Sequence, residues 1–411
     1  MEQKTEPMAR KPLGLYIHIP FCRQKCHYCD FYSFSGQEAK WKPYYKALLA
    51  HIEEAAQFTP QHALDTIYFG GGTPSFFPTD YLTAILKAIQ TQFHVLPDAE
   101  ITVEANPDSA ALDSLSRLRQ AGFNRISIGM QAADDKTLSV LGRPHTFSQT
   151  QEAVQAARDA GFENLSLDLM YGLPAQTQEH WKSALQAAVS LHPDHLSCYG
   201  LKVEEKTPFY AQQSRLALPD DDLQADFYLY CVHFLNKAGY GQYEVSNFAK
   251  PGFASRHNLK YWTLEEYIGL GPGAHSDFGG YRYSFLRDLD AYIEGVQKGA
   301  SLLDECEFLP KGKRHGEYLM LRLRTASGIS EGEYARPHAM EFAPVLELLK
   351  QYESRGWAVL ENGRWRFTPM GFLLSNQLIG LLLDSQRHLP VGFYATPEPN
   401  KEANHIRGAT S

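Results

Sequence analysis

The chain has 411 residues, 44% of them hydrophobic and 21% charged, with a formal net charge of −8. That mildly acidic balance argues against a nucleic-acid binder, which concentrates a basic face, and no run reaches the ~18 apolar residues of a membrane span. The polar start MEQKTEPMARKPLG lacks the apolar core of a secretory signal, so the expectation is a cytoplasmic protein with reduced thiols, built as two or three domains or as one large barrel with an appendage.

Residues 1–12 are expected to be a flexible N-terminus. Over residues 13–215, β-rich runs at 13–19, 66–69, 101–104, 125–129, 164–170 and 195–201 alternate with helical patterns. Residues 79–93 place Leu82, Ile85, Leu86, Ile89 and Phe93 on one helical stripe. Ser148 and Gln151 read as a capping box that opens a helix, Gly161 closes it, and Gly122 closes the helix before. Six β-then-α units in series predict an α/β fold with a parallel sheet and right-handed crossovers. The strands read as apolar on both faces, the pattern of buried parallel strands. A partial (β/α)6 TIM-like barrel and an open doubly wound sheet both fit, and both put ligands at the C-terminal ends of the strands. The unusual motifs of this half all fall at such ends.

Residues 216–305, rich in Tyr, Gly and His, are expected to cover the barrel mouth. Residues 306–385 read as helices followed by an Asn362-Gly363 hairpin, a C-terminal winged-helix-like α+β domain. Glu341, Glu347 and Glu353 on the helix before the hairpin would repel phosphate, which favours a lid or packing role over DNA binding. Residues 386–411 are expected to be a disordered tail.

Six cysteines are present, and three of them, Cys22, Cys26 and Cys29, lie in a C-x3-C-x2-C segment just after the first strand. Thiolates suit Fe–S clusters or zinc. A structural zinc wants four ligands, and His27 is the candidate for the fourth, but one short loop closing all four positions would be strained. Ordinary ferredoxin clusters use four cysteines. Here no fourth lies nearby, and position 31 is Phe. The reading favoured by ligand type and spacing is a [4Fe–4S] cluster on Cys22, Cys26 and Cys29 with one iron left for a small-molecule ligand. Gly70–Gly72 end the second strand and allow close backbone approach to a ligand, although a glycine triplet alone also fits a plain tight turn. Glu104, Gln131 and Asp168 end later strands, and Arg143 suits a carboxylate or a surface ion pair. His257 is a candidate heme ligand, with Tyr261 and Trp262 to pack on a porphyrin. The competing reading is a buried His in an aromatic loop, and His275 is a competing ligand. Cys198, Cys231 and Cys306 read as inert core thiols.

The C-x3-C-x2-C segment resembles the radical S-adenosylmethionine (SAM) superfamily. The runs Tyr16–Cys22, Gly70–Pro74, Glu104–Pro107, Ser127–Gln131, Leu141–His145 and Asp168–Pro174 resemble one branch of it, over roughly residues 13–385. That branch contains oxygen-independent coproporphyrinogen III oxidases and related heme chaperones. The oxidases carry a further cysteine where this chain has Phe31, and they have a longer N-terminal extension. His257-Asn-Leu-Lys-Tyr-Trp262 matches the HNxxYW motif associated with the chaperones, so the resemblance leans to a heme chaperone rather than to a decarboxylating enzyme. It implies that Tyr16, Tyr28, Gly71, Gly72, Thr73, Glu104, Gln131, Arg143 and Asp168 line a SAM pocket, and that SAM is cleaved reductively in the superfamily at large. Its further implications are heme as the ligand carried, an unknown heme-accepting apoprotein that can be membrane-associated, an electron donor to the cluster, and no nucleic acid.

Overall fold

A computed structural model describes residues 10–310, 314–338 and 341–387. The start expected to be flexible lies outside the described residues at 1–9, and the tail expected to be disordered does so from 388, while residues 386 and 387 end a helix. Lys11 and Pro12 already belong to the first strand.

In chain order, the first half runs β1 (Lys11–Ile19), α1 (Trp41–Gln57), β2 (His62–Gly71), α2 (Thr79–Gln92), β3 (Val95–Ala105), α3 (Leu112–Ala121) and β4 (Arg125–Gln131). It continues with α4 (Asp135–Val140), α5 (Phe147–Asp159), β5 (Asn164–Tyr171), α6 (Gln178–Ser190), β6 (His195–Gly200), α7 (Pro208–Ala211) and α8 (Asp221–Lys237). The stripe on α2 is buried, from Leu82 to Ile89. Gly122 ends α3 at φ 117°, a left-handed conformation that glycine adopts without steric cost. The capping box of α5 is Thr146 with Gln149, not Ser148 with Gln151. Thr146 has the extended backbone an N-cap needs, whereas Ser148 lies one turn inside and bonds Glu152.

The expected parallel order holds, since β1 to β6 pair consecutively and in parallel. The sheet is open rather than closed, because β1 and β6 each pair with later strands. These are β7 (Gly241–Gln242), β8 (Asn247–Ala249), β9 (Tyr267–Leu270), β10 (His275–Phe278), β11 (Tyr281–Phe285) and β12 (Leu303–Phe308), and the sheet order is β12-β11-β10-β9-β1-β2-β3-β4-β5-β6-β8-β7. Residues 241–308 therefore widen the sheet at both edges, with β9 parallel to β1 and β8 antiparallel to β6. Between them lie α9 (Arg256–Thr263) and α10 (Leu289–Lys298).

The strands are not apolar on both faces. Ile67, Phe69, Val103, Ile126, Leu165, Leu167 and Leu196 face the helices and are fully buried. The residues between them, Thr66, Thr102, Arg125, Ser127, Ser166 and His195, are buried too but polar. Strand alternation puts that second set on one inner face, and the neighbours there bond one another, as in Ser166–His195 at 2.7 Å and Ser127–Asp168 at 3.1 Å. A parallel sheet covered on both sides tolerates this where the buried polar groups bond one another or, like Arg125 and Ser127, line a cavity, although the Thr102 hydroxyl has no partner. Of the thiols expected in the core, Cys198 and Cys231 are buried, but Cys306 on the edge strand β12 is exposed. Helix α9 packs on the inner face, where Lys260, 2% exposed at its side chain, pairs with Asp65 at 2.9 Å.

The C-terminal lobe is α11 (His315–Arg322), α12 (Glu331–His338), α13 (Ala343–Ser354), the hairpin β13 (Ala358–Glu361) and β14 (Arg364–Phe367), then α14 (Pro369–Leu373) and α15 (Ser375–Arg387). Helices plus a hairpin give the expected α+β winged-helix-like form. Asn362 and Gly363 both have positive φ, as a two-residue hairpin turn of the mirror-image type demands. The lobe is tied to the sheet by buried Asp277, which accepts two bonds from Arg314 at 2.7 and 2.9 Å and one from Arg282 at 3.1 Å.

Candidate cofactor and ligand site

The three clustered cysteines ride on the loop that leaves β1. The loop is fixed at both ends. Cys22 N–H donates to the Phe34 carbonyl and Phe34 N–H to Pro20, each at 2.8 Å, while Lys25 Nζ clamps the Phe31 carbonyl at 2.8 Å. His27 does not point into the site. Its Nδ1 bonds the Val140 carbonyl at 2.9 Å and its N–H the Leu141 carbonyl at 3.0 Å, so it holds the loop against residues 140–142.

Cys22, Cys26 and Cys29 open into one cavity of about 360 Å³ together with Tyr28, Gly71, Gly72, Thr73, Glu104, Gln131, Arg143 and Asp168. The strand-end placement explains the convergence, because the C-terminal ends of β1 to β5 deliver all of these side chains to one rim. Tyr16 lines an adjoining cavity instead. His257 lines neither.

The residues fit a multi-iron cluster better than a zinc ion. Among the described residues no three His, Cys, Asp or Glu side chains converge as the ligands of a single ion would. Gly72 leaves room beside the sulfurs, since a Cβ there would stand 2.7 Å from the Phe21 carbonyl and 3.0 Å from Cys22 Sγ. Thr73 Oγ1 and Arg143 Nη1 each donate to a sulfur, Cys22 and Cys26, at 3.5 Å. Burial pushes Cys29 up to about 11 and raises Cys22 as well. The protein alone therefore leaves those two thiols neutral, and a bound cationic metal would supply the charge that makes them thiolates.

Around the rest of the cavity, Glu104 takes Tyr68 O–H at 2.7 Å on one oxygen and Gly71 N–H at 3.2 Å on the other. Burial pushes its carboxyl up to about 7, against the lowering effect of the Tyr68 bond. Asp168 is also raised by burial, with Ser197 and Ser127 hydrogen bonds opposing. Arg143 Nη2 donates to the Gly129 carbonyl at 2.8 Å and to Asn106 at 2.7 Å, and its buried Nε has no protein partner. Gln131 sits at φ 62°, an uncommon conformation for a residue with a Cβ and one that collects at ligand sites.

The sequence reading missed Asn106, Arg125, Ser127, Ser197, Tyr199 and Asn258, all of which line the cavity. Asn106 and Ser127 lie inside motifs already singled out, and alternation along β4 and β6 identifies Arg125 and Ser197. Asn258 had a signal as well, since it follows His257 in the HNxxYW run.

His257 is wholly buried in the inner face. Its Nδ1 meets Thr66 Oγ1 and its Nε2 meets Tyr261 Oη, both at 2.8 Å, its ring stacks on Tyr68, and its N–H donates to Glu100 at 3.0 Å. Burial lowers it to about 3, so the ring is neutral. With both nitrogens engaged and no exposed surface, it presents nothing to a porphyrin in this conformation.

Residues 16–188 match the family described as "Radical SAM superfamily" and residues 312–374 that described as "HemN C-terminal domain". The protein called "Heme chaperone HemW" in Bacillus subtilis is 37% identical, with 90% of this chain and 98% of that one aligned. Its namesake in Lactococcus lactis is also 37% identical, over 90% of this chain and 97% of its own. The structure described as "Coproporphyrinogen III oxidase (HemN) from Escherichia coli is a Radical SAM enzyme" superposes with a TM-score of 0.80 over 93% of this chain and 92% of that one, at 24% identity. At that identity the likeness establishes the fold alone.

Proposed function

We propose that this chain, which belongs to the HemW family of the radical SAM superfamily, binds heme and delivers it to an acceptor protein. The observation that carries the reading is similarity along nearly the whole length of relatives named as heme chaperones. Phe31, 66% exposed at the position where the oxidases have a further cysteine, supports it.

In this reading Cys22, Cys26 and Cys29 hold a [4Fe–4S] cluster. A cluster with three protein ligands supplies an open iron at which SAM can be bound and reductively cleaved. The protein's own part is positional. Gly71, Gly72 and Thr73 bring backbone close to the ligand, Tyr28 and Asp168 wall the pocket, and Gln131 offers an amide from its left-handed turn. Arg143 keeps one N–H unpaired, and Glu104 can present either a carboxyl or a carboxylate near neutral pH. Tyr16 acts at the boundary with the neighbouring cavity. An electron donor and the acceptor need a docking face, and exposed Phe31 on the cluster loop, Val140 at the end of α4, Tyr199 in β6 and Tyr210 in α7 offer apolar contact around the strand ends. No helix among the described residues is long and apolar enough to cross a membrane.

The test uses anaerobically reconstituted protein. Iron and acid-labile sulfide in cluster stoichiometry, heme uptake, and heme loss to an acceptor are the expected results. Stoichiometric zinc without sulfide would end the cluster assignment. Conversion of coproporphyrinogen III to protoporphyrinogen in the presence of SAM and reductant would replace the chaperone reading with the oxidase.

A further inference from the structure

The second cavity, about 670 Å³, lies between the cluster loop and the β10–β11 edge of the sheet, within the roughly 300–1,000 Å³ range of small-molecule sites. Asp30, Phe31, Gly71 and Glu104 line it as well as the first cavity, so occupants of the two would be neighbours. Resting on the heme reading above, we propose that this cavity holds the tetrapyrrole, with His275 as the axial ligand of its iron and Arg287 as the partner of one of its carboxylate side chains.

A histidine can hold heme iron only through an accessible ring nitrogen. His257 is enclosed beneath the inner face. His18 lines the cavity, but its Nδ1 meets Tyr16 Oη at 3.0 Å and its Nε2 the Tyr32 carbonyl at 2.8 Å. His275 lines the same cavity, is exposed, and has no side-chain hydrogen bond among the described residues. It is also rigidly carried. Gly271, at φ 108°, lets the β9–β10 turn press on β1, where a Cβ would stand 2.8 Å from the His18 carbonyl. Ser284 pairs with His275 in the β10–β11 ladder.

The walls suit a flat aromatic ligand, with Phe31, Tyr32, Tyr261, Tyr267 and Phe285 among them. The phenols are poor competitors for iron, because burial pushes Tyr32 and Tyr267 up to about 12 and keeps them protonated. Arg287 is the lining residue with a permanent positive charge. One of its nitrogens donates to the Asp30 carbonyl at 3.1 Å, which leaves other donors of its fork for a carboxylate. Asp304 and Glu305 line another part of the cavity, and their repulsion of like charge directs the carboxylates of the ligand toward Arg287.

The test titrates ferric heme into the anaerobically reconstituted full chain and into His275→Ala, Arg287→Gln and His257→Ala, following the Soret band. For His275→Ala the expected result is a shifted Soret band and affinity lower by about tenfold or more, with added free imidazole restoring the wild-type spectrum. For Arg287→Gln it is weaker binding with an unchanged spectrum. Retention of the cluster absorbance in each variant shows that the fold is intact. If His275→Ala keeps both spectrum and affinity, or if His257→Ala alone loses the wild-type Soret band and regains it with imidazole, the assignment of His275 is overturned while heme binding stands. If the wild type takes up no heme, the heme reading itself falls.

Discussion

The two faces of the six-stranded parallel sheet do different work. The helix-facing side is a hydrocarbon core, with Phe69 against Phe123 at 4.9 Å and Ile85, Leu86 and Leu115 buried nearby. The inner side is equally buried but polar, and its end is where the cavity forms. One side of each strand supplies stability and the other side supplies chemistry, from residues one position apart. Substitutions on the two sides should therefore separate stability from ligand binding.

The largest effect belongs to the helix-facing side. Phe123→Ala should lower unfolding free energy by about 3–5 kcal/mol, read as a shift in denaturant midpoint, with SAM affinity of the folded fraction unchanged. Loss of SAM binding without loss of stability would break the separation. Next comes Glu104 on the inner side. Its carboxyl titrates near 4.5 when unfolded and about 7 when folded. Between those values the unfolded chain has released a proton that the folded chain keeps, so stability falls as pH rises through that window and levels off above it. Glu104→Gln should remove about 3 kcal/mol of that fall in unfolding measured from pH 4.5 to 8. The variant should still lose some stability over that range, because burial pushes Glu244 up to about 7 in the same direction. A steeper slope in the variant would reverse the sign assigned here. Tyr68→Phe removes the 2.7 Å bond to Glu104 and should cost about 1 kcal/mol, visible as a midpoint shift, while moving the Glu104 titration further upward. Phe31→Ala, at the exposed rim, should stay within about 0.5 kcal/mol of wild type in thermal unfolding. A larger loss would show that the cluster loop bears on the core.

The long repeating elements were legible because their signals are local. The strand-then-helix rhythm, the α2 stripe, Gly122, the Asn362-Gly363 turn and the spacing of Cys22, Cys26 and Cys29 each announce themselves within a few residues. The inner face was not legible, because Thr and Ser fit strands on either side and short β-rich runs show their hydrophobic members first. Nor were β7 to β12. They are two to six residues long, and only β9 and β8 lie on β1 and β6, partners distant in sequence, while the others build outward from those two. The burial of His257 had the same origin, since Thr66, Tyr68 and Glu100 enclose it from strands far upstream. The capping box slipped by two residues because Thr146-Phe-Ser148 offers two hydroxyls, and only backbone geometry chooses between them.

The parallel pairing of β1 with β9, from Gly14–Tyr267 to Ile17–Leu270, has a consequence for biosynthesis. The strand that leads into the cysteine loop is completed on one side by β2 soon after it leaves the ribosome, but its other side waits for residue 270. At about 5–20 residues per second that interval is roughly 10–50 s, during which a largely apolar strand offers an open edge to other nascent chains. Maturation with iron and sulfide is thus expected after translation has passed β9, and a ribosome stalled before that point should leave a polypeptide that aggregates rather than one that collects its metal early.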